Sequence, residues 1–232
     1  MNYEMERFES IDSTNDYAKT KREDGKNLIV IANSQTGGRG TKGRRFSSKR
    51  GGLYVSVLTF YEQFPATRAF EIMQKGAVAV CETLERFGLQ PKIKWPNDIY
   101  VNGKKICGIL VENTFSGNML SSSIVGIGLN IQNDLEEELL EIATSMYRET
   151  GKRFLPSEVE RTLLRFLQTD NQEKYQSYLG FIGEEVSLLC GEKREKATFL
   201  GVDKQGNLTV KQDGETRVYA SAEISLRTGE RL

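Results

Sequence analysis

Histidine is absent from this 232-residue chain. Its absence removes the serine–histidine and cysteine–histidine nucleophile pairs, and zinc loses its commonest nitrogen ligand. Most hydrolase chemistries are disfavoured with them. Cysteine is scarce. Cys81, Cys107 and Cys190 are odd in number, widely spaced and set among apolar neighbours, which argues against a disulfide framework and fits a reducing cytoplasm. No apolar run is long enough to span a membrane, and Met1 to Arg7 hold no signal-peptide core. Net charge is also missing, because 32 Lys and Arg face 32 Asp and Glu. That balance argues against nucleic acid as the main partner. No repeat or low-complexity tract interrupts the chain, whose length suits one medium domain plus a small one.

What the chain has is a basic, glycine-rich segment. Residues 36–45, Thr-Gly-Gly-Arg-Gly-Thr-Lys-Gly-Arg-Arg, hold four glycines, three arginines and one lysine. Glycine permits close approach of backbone to a ligand, and guanidinium groups offer fixed forks of donors to phosphate or carboxylate. The segment reads as a loop that closes over an anion, with a solvated basic turn as the plain alternative. Gly38-x-Gly40-x-x-Gly43 matches the dinucleotide-binding pattern, but that fingerprint must open a helix. Here a second strand follows instead, Leu53 to Phe60. No Gly-Lys-Ser/Thr ends the segment, so it is not a P-loop. A glycine loop between strands also occurs in protein kinases, whose catalytic loop needs the missing histidine.

The rest of the chain reads as alternating helices and strands. Asp12-Ser13-Thr14-Asn15-Asp16 is a helix start, running to about Arg22. Asn27 to Ala32 and Leu53 to Phe60 are strands. Ala66 to Phe87 has helical periodicity with Gly88 as its stop. Lys92 to Val101 is strand, interruption at Pro96, strand; Asn102-Gly103 makes a hairpin, and Lys105 to Glu112 returns. Strict alternation puts Lys105 and Gly108 on opposite faces, so a ligand touching both requires a bulge or a strand-end twist. In the strand Ser121 to Ile131, Gly126 and Gly128 alternate and leave one face bare, where a ligand can lie flat. Asp134 to Glu149 is expected to be helical, as one run or as two short pieces around Thr144-Ser145, ending at Gly151. Ser157 to Glu160 reads as a capping box whose helix runs to about Leu179. Short strands then follow at 185–190, 196–202, 208–212 and 216–220, with turns at Gly191, 203–206 and 213–214. They suggest a small barrel that packs on the main domain. The expected division is 1–182 and 183–232.

Four motifs in order resemble one family: Gly38-Arg-Gly-x-x-Gly-Arg44, Lys94-Trp-Pro-Asn-Asp98, Lys105-x-x-Gly-Ile-Leu-Val-Glu112 and Gly126-Ile-Gly-x-Asn130. Each alone is common; in this order and spacing they look like biotin protein ligase. The resemblance runs from Asp12-Ser-Thr-Asn to Glu223-Ile-Ser-Leu-Arg227. It implies an α+β fold, a mixed β-sheet backed by helices of the class II aminoacyl-tRNA synthetase and biotin ligase kind, with a C-terminal SH3-like barrel. It implies ATP with Mg²⁺, biotin as substrate, biotinyl-5′-AMP as intermediate and a lysine of a biotin carboxyl carrier protein as acceptor. By the same resemblance Ser13, Thr14, Gln35 and Gly38 serve biotin, with Gly108 and Leu110 walling its rings. Arg39, Arg44, Phe46, Trp95, Asn97 and Asn130 serve the nucleotide. Lys105, Arg39 and Asp98 are the catalytic set, with Lys105 and Arg39 also touching biotin and Asp98 on the metal side.

A first step that joins a carboxylate to an α-phosphate brings two anions together. It calls for positive charge, not a histidine base. Repressor members of the family carry an N-terminal winged helix. Here the Asp-Ser-Thr segment begins at residue 12, so the expectation is the ligase-only form, with no DNA or membrane partner, as monomer or homodimer in the cytoplasm. Many members have arginine where this chain has Thr41, and most have tryptophan where it has Phe46; a looser lid over the adenylate is the expected consequence. A lipoate or octanoate ligase is the same-chemistry alternative. A non-catalytic module that grips RNA or another acidic partner is the alternative from a different class, and the balanced charge disfavours it.

Overall fold

The computed structural model describes residues 2–190, 193–220 and 225–227. A seven-stranded sheet forms from β1 (Glu4–Phe8), β2 (Leu28–Ala32), β3 (Leu53–Pro65), β4 (Lys92–Lys94), β5 (Asp98–Val101), β6 (Lys104–Ser116) and β7 (Met119–Leu129). Their order is β1-β2-β3-β7-β6-β5-β4. The β1–β2 pair is parallel and the others are antiparallel, so the sheet is mixed. β1 was not expected. Its sequence, Glu-Met-Glu-Arg-Phe, is too polar to signal a strand, and it survives as an edge by pairing with the wholly buried β2.

Two helices cover opposite faces of this sheet. α1 (Thr14–Thr20) packs Ala18 against Leu28, Val30, Leu58 and Ile124. α2 (Phe70–Arg86) lies across the other face, on Val55, Ile109, Val125, Ile127 and Leu129. Each such buried aliphatic side chain contributes about 1.5–3 kcal/mol. A short 3₁₀ turn, Ala66–Arg68, precedes α2, and Gly88 at φ +83° stops it where the sequence placed the end.

The helical segment expected over 134–149 forms as two short pieces, a 3₁₀ turn at Glu137–Leu139 and α3 (Met146–Thr150), divided near Thr144-Ser145 and ended by Gly151. The reason is competition from β6. Lys105 N–H donates to Ile142 O at 2.9 Å, and Thr144 N–H to Lys105 O at 2.9 Å, which draws the intervening chain extended. Ser145 then caps α3 through its Oγ. The capping box at Ser157 does not form. Pro156 takes the first helical position of α4 (Pro156–Phe166), placing Ser157 inside the helix. Instead of running to Leu179, the chain breaks and restarts as α5 (Tyr175–Tyr178).

The C-terminal unit is a five-stranded antiparallel sheet of β8 (Glu185–Cys190), β9 (Lys193–Val202), β10 (Leu208–Gln212), β11 (Glu215–Tyr219) and β12 (Ser225–Arg227), ordered β11-β10-β9-β8-β12. Val186, Leu188, Phe199, Leu208 and Val210 join the same core as α2. The turn expected at Gly191 and the approach to β12 at Glu223 lie outside the described residues. Cys81 and Cys107 are buried free thiols; the side chain of Cys190 lies outside the described set.

Candidate active site

The cleft lies on the α1 face of the sheet, beyond the end of that helix. Three neighbouring strands bring small residues together there. Gly126 of β7 pairs with Ser56 of β3 and Leu110 of β6, and Gly128 pairs with Gly108. The bare floor foreseen from the glycine alternation is therefore present, and Gly108 extends it. A Cβ at Gly126 would lie 2.0 Å from Asn15 Oδ1, and one at Gly128 2.5 Å from Phe46 Cε1. No other residue fits at either position without displacing what lies above it.

One end of the cleft is a polar cluster at the start of α1. Ser13 caps the helix, its Oγ accepting from Asp16 N–H at 3.3 Å. Thr14 donates its N–H and its hydroxyl to Gln35 Oε1 at 2.8 and 3.0 Å. Gln35 in turn donates Nε2 to Ser48 Oγ at 2.8 Å. Asn15 sits over Gly126, its Nδ2 donating to Glu112 Oε2 at 2.9 Å and its Oδ1 2.5 Å from Ser56 Oγ. Sequence reading passed over Asn15 as one more polar residue of a helix start.

The other end is ionic. Lys105 Nζ lies 2.6 Å from Asp98 Oδ1 and 5.8 Å from the Phe46 ring centroid. The bulge required for Lys105 to share a face with Gly108 exists. Ile99 pairs with Cys107 and Tyr100 with Lys105, so Ile106 is the extra residue. A Cβ at Gly108 would touch Lys105 Cε and Nζ at 3.2 Å. Cys107, on the same strand, faces the core, where burial pushes its thiol far above the ordinary range. It is no nucleophile.

The glycine segment folds back over this floor as a tight arch. Gly40 N–H donates to Arg44 O at 2.7 Å and Phe46 N–H to Gly38 O at 2.9 Å. The turn Thr41–Gly43 forms its tip, and Phe46 packs on Gly108 and Gly128. Arg39 is held from outside the cleft by Asp16, Nη1 to Oδ1 at 2.5 Å. Partial burial works against the Asp16 charge, but Lys19 and Arg39 outweigh it and keep its carboxyl below the ordinary carboxylate value. Lys19 reaches Glu112 as well, at 2.7 Å. The arch is thereby tied through α1 to β6.

The cleft is lined by both ends and by the floor. Residues 7–130 of the chain match the Biotin/lipoate A/B protein ligase family, and residues 181–227 the Biotin protein ligase C terminal domain. The chain is 33% identical over 236 residues to the bifunctional ligase/repressor BirA of Escherichia coli, an overlap covering 95% of this chain and 73% of BirA. It belongs to the biotin protein ligase family. The fold agrees. Biotin protein ligase from Aquifex aeolicus, in complex with biotin and ATP, superposes with a TM-score of 0.76 at 30% identity, covering 97% of this chain and 99% of that one. The Leishmania major enzyme in complex with biotinyl-5-AMP superposes with a TM-score of 0.60 at 26% identity, covering 94% and 98%.

In this biotin protein ligase, Ser13, Thr14, Gln35, Arg39, Phe46, Asn97, Asp98, Lys105, Gly108 and Leu110 all line the cleft, and Thr41 joins them. Gly38 stands just behind, its Cα backed by Ser48 Oγ and the Phe46 carbonyl. Three expected residues stand elsewhere. Arg44 is exposed on the outer side of the arch and contributes its backbone. Asn130 is buried at the end of β7, donating to Thr144 O at 3.0 Å and accepting from Asn133 at 3.1 Å, a brace for the 144–146 segment. Trp95 is 3% exposed and points into the core.

Proposed function

We propose that this ligase activates biotin with ATP to biotinyl-5′-AMP and passes the biotinyl group to a lysine of a biotin carboxyl carrier domain. The observation that carries the reading is the glycine floor with polar side chains at one end, Lys105 at the other and Arg39 on the arch above. The first step forms a bond between a carboxylate oxygen and the α-phosphorus while pyrophosphate leaves. Lys105 and Arg39 bring cations to that meeting of anions, and their value lies in placement before reaction begins. Asp98 keeps Lys105 turned toward the floor. The second step forms an amide as the carrier lysine, in its neutral form, attacks the acyl carbon and AMP leaves. The mixed anhydride hydrolyses in water, so an arch roofed by Phe46 protects it.

Among the described residues no group of three or more Asp, Glu or Cys converges on a cation. That fits Mg²⁺ arriving on the nucleotide, since this ion is commonly held by phosphates with one or two carboxylates. Asp98 is the carboxylate in the cleft that would hold it, and the ion would supply further positive charge to the phosphates. No helix among the described residues is long and apolar enough to cross a membrane. We assign the protein to the cytoplasm, where ATP and a carrier domain meet. The division into a catalytic unit (1–182) and a C-terminal unit (183–232) is supported by the separate hydrogen bonding of the two sheets.

The test is mass spectrometry after mixing the protein with Mg-ATP and biotin, lipoate or octanoate. Biotinyl-AMP alone is expected. Acyl-AMP from lipoate or octanoate instead would move the specificity and keep the chemistry. No adenylate from any of the three, with the protein folded, would overturn the reading.

A further inference from the structure

Trp95 is the chain's single tryptophan, and it leaves the cleft for the core. Its indole Nε1–H donates to the carbonyl oxygen of Gly206 at 3.0 Å, a bond buried on both sides. Gly206 belongs to the β9–β10 turn, in the other sheet and 111 residues away. That turn is built to hold its shape. Asp203 Oδ1 accepts from Gln205 N–H at 2.9 Å and Asn207 N–H at 2.8 Å, and Oδ2 accepts from Asn207 Nδ2 at 2.9 Å. Gly206 sits at φ +87°, and a Cβ there would lie 2.2 Å from Phe70 Cγ. Phe70 in turn meets the Tyr175 ring edge-on at 5.6 Å. Tyr175 donates its hydroxyl to Pro96 O at 2.9 Å. Trp95 is thus gripped by the C-terminal unit, and Pro96 by α5, whose Tyr175 meets Phe70 beside the same turn.

The next two residues are in the cleft. Asn97 accepts Ile109 N–H through its backbone at 3.0 Å and donates Nδ2 to Ile109 O at 2.7 Å. Asp98 pairs with Gly108 and holds Lys105 at 2.6 Å. We propose that Trp95 is a positioning residue through which the β9–β10 turn of the C-terminal unit holds Asn97 and Asp98 against the floor of the cleft. This rests on the ligase reading for its chemistry but not for its geometry. A shift at Trp95 moves Asn97 along β6 and changes where Asp98 aims Lys105. The polar cluster at Ser13, Thr14 and Gln35 belongs to other elements and stays in place. The C-terminal unit therefore acts on the rate of the first step and leaves recognition of the acyl substrate alone.

The experiment compares Trp95→Phe, which keeps an aromatic ring and loses the donor, with Val210→Ala. Val210 is fully buried in β10, so its truncation weakens the C-terminal core without touching the tether. A second form, 3-benzothienylalanine at position 95, removes the N–H with almost no change of shape and keeps the test open should Trp95→Phe unfold. The full-length proteins are assayed for adenylate formation, thermal melting and amide hydrogen exchange. Both donor-deleted forms are expected to lower kcat about tenfold, with KM for biotin within about twofold. The Ile109 amide, bonded to Asn97, exchanges faster in them than in Val210→Ala, which retains wild-type kcat below its melting temperature. Equal losses in all variants would reduce Trp95 to a packing residue. So would unchanged kcat and unchanged Ile109 exchange. If the wild type makes no acyl-adenylate, the biotin reading fails, and the exchange comparison alone decides the tether.

Discussion

Val125, Ile127 and Leu129 of β7 face α2 and belong to the main core, while Gly126 and Gly128, between them, face the arch. The same five residues thus build two unlike surfaces. On the α2 side every position carries a branched side chain, and the filling is close enough that a Cβ at Gly76 would touch Val125 Cγ1 at 3.2 Å. On the arch side the strand gives only backbone, and the space above it is filled by Asn15 and Phe46, which reach in from a helix and a loop. A face filled by its own strand is fixed once the sheet forms. A face filled by side chains from elsewhere can be emptied by moving them, which is what a substrate site requires. The sheet is the rigid base, and the adjustable parts come from outside it.

Removing Lys105 should give the largest effect. Lys105→Ala deletes the Lys105 ammonium at the floor while keeping the backbone bonds that Lys105 makes to Ile142 and Thr144. Adenylate formation should fall by about 10²-fold or more. The melting temperature should stay close to wild type, because an ion pair with side chains 31% and 27% exposed adds little stability. Normal adenylate yield would remove Lys105 from the mechanism.

An exchange between the two faces sharpens the contrast. Gly128→Val puts a side chain where the Phe46 ring lies, so the apparent Kd for biotin should rise about tenfold or more, with little loss of stability because Phe46 can swing outward. Ile127→Ala, one residue away, should do the reverse. It opens a cavity under α2 costing about 2–5 kcal/mol and leaves biotin binding unchanged below the melt. Calorimetric titration and chemical denaturation on the two variants check this. If both variants lose stability and affinity together, the two faces are not independent.

What could be read in advance follows the range of the interaction. The glycine alternation of β7 and the need for a bulge between Lys105 and Gly108 are properties of a single strand, and the sequence carries them. The tie from Arg39 to Asp16 joins residues 23 apart through a loop whose fold has no periodic signature, and Asn15 acquires its place only when β7 passes beneath it. Trp95 shows the limit most clearly. Its motif marked it for the nucleotide, yet its partner is a carbonyl on a different sheet. The break foreseen at Thr144-Ser145 comes from β6, which offers that segment backbone partners, a tertiary contact that outweighs helix propensity.

The arch gives the smallest effect and the finest test. Thr41 lines the cleft at the tip and brings no charge, so among the described lining residues only Arg39 and Lys105 are cationic. Both are already held by carboxylates, Asp16 and Asp98. An anionic adenylate leaving this cleft therefore breaks few bonds that the arch itself supplies. Thr41→Arg adds one cation to the arch, and a charge-assisted hydrogen bond contributes about 1.5–3 kcal/mol. Part of that is offset by ordering the new side chain, so release of preformed biotinyl-AMP should slow by about threefold to tenfold. The rate of its formation should change less, because Lys105 and Asp98 lie on the sheet and do not move with the arch. Stopped-flow release measured against a trapping carrier domain separates the two. Unchanged release from Thr41→Arg would mean that the arch does not limit escape, and that Phe46, seated on the floor glycines, is the part that does.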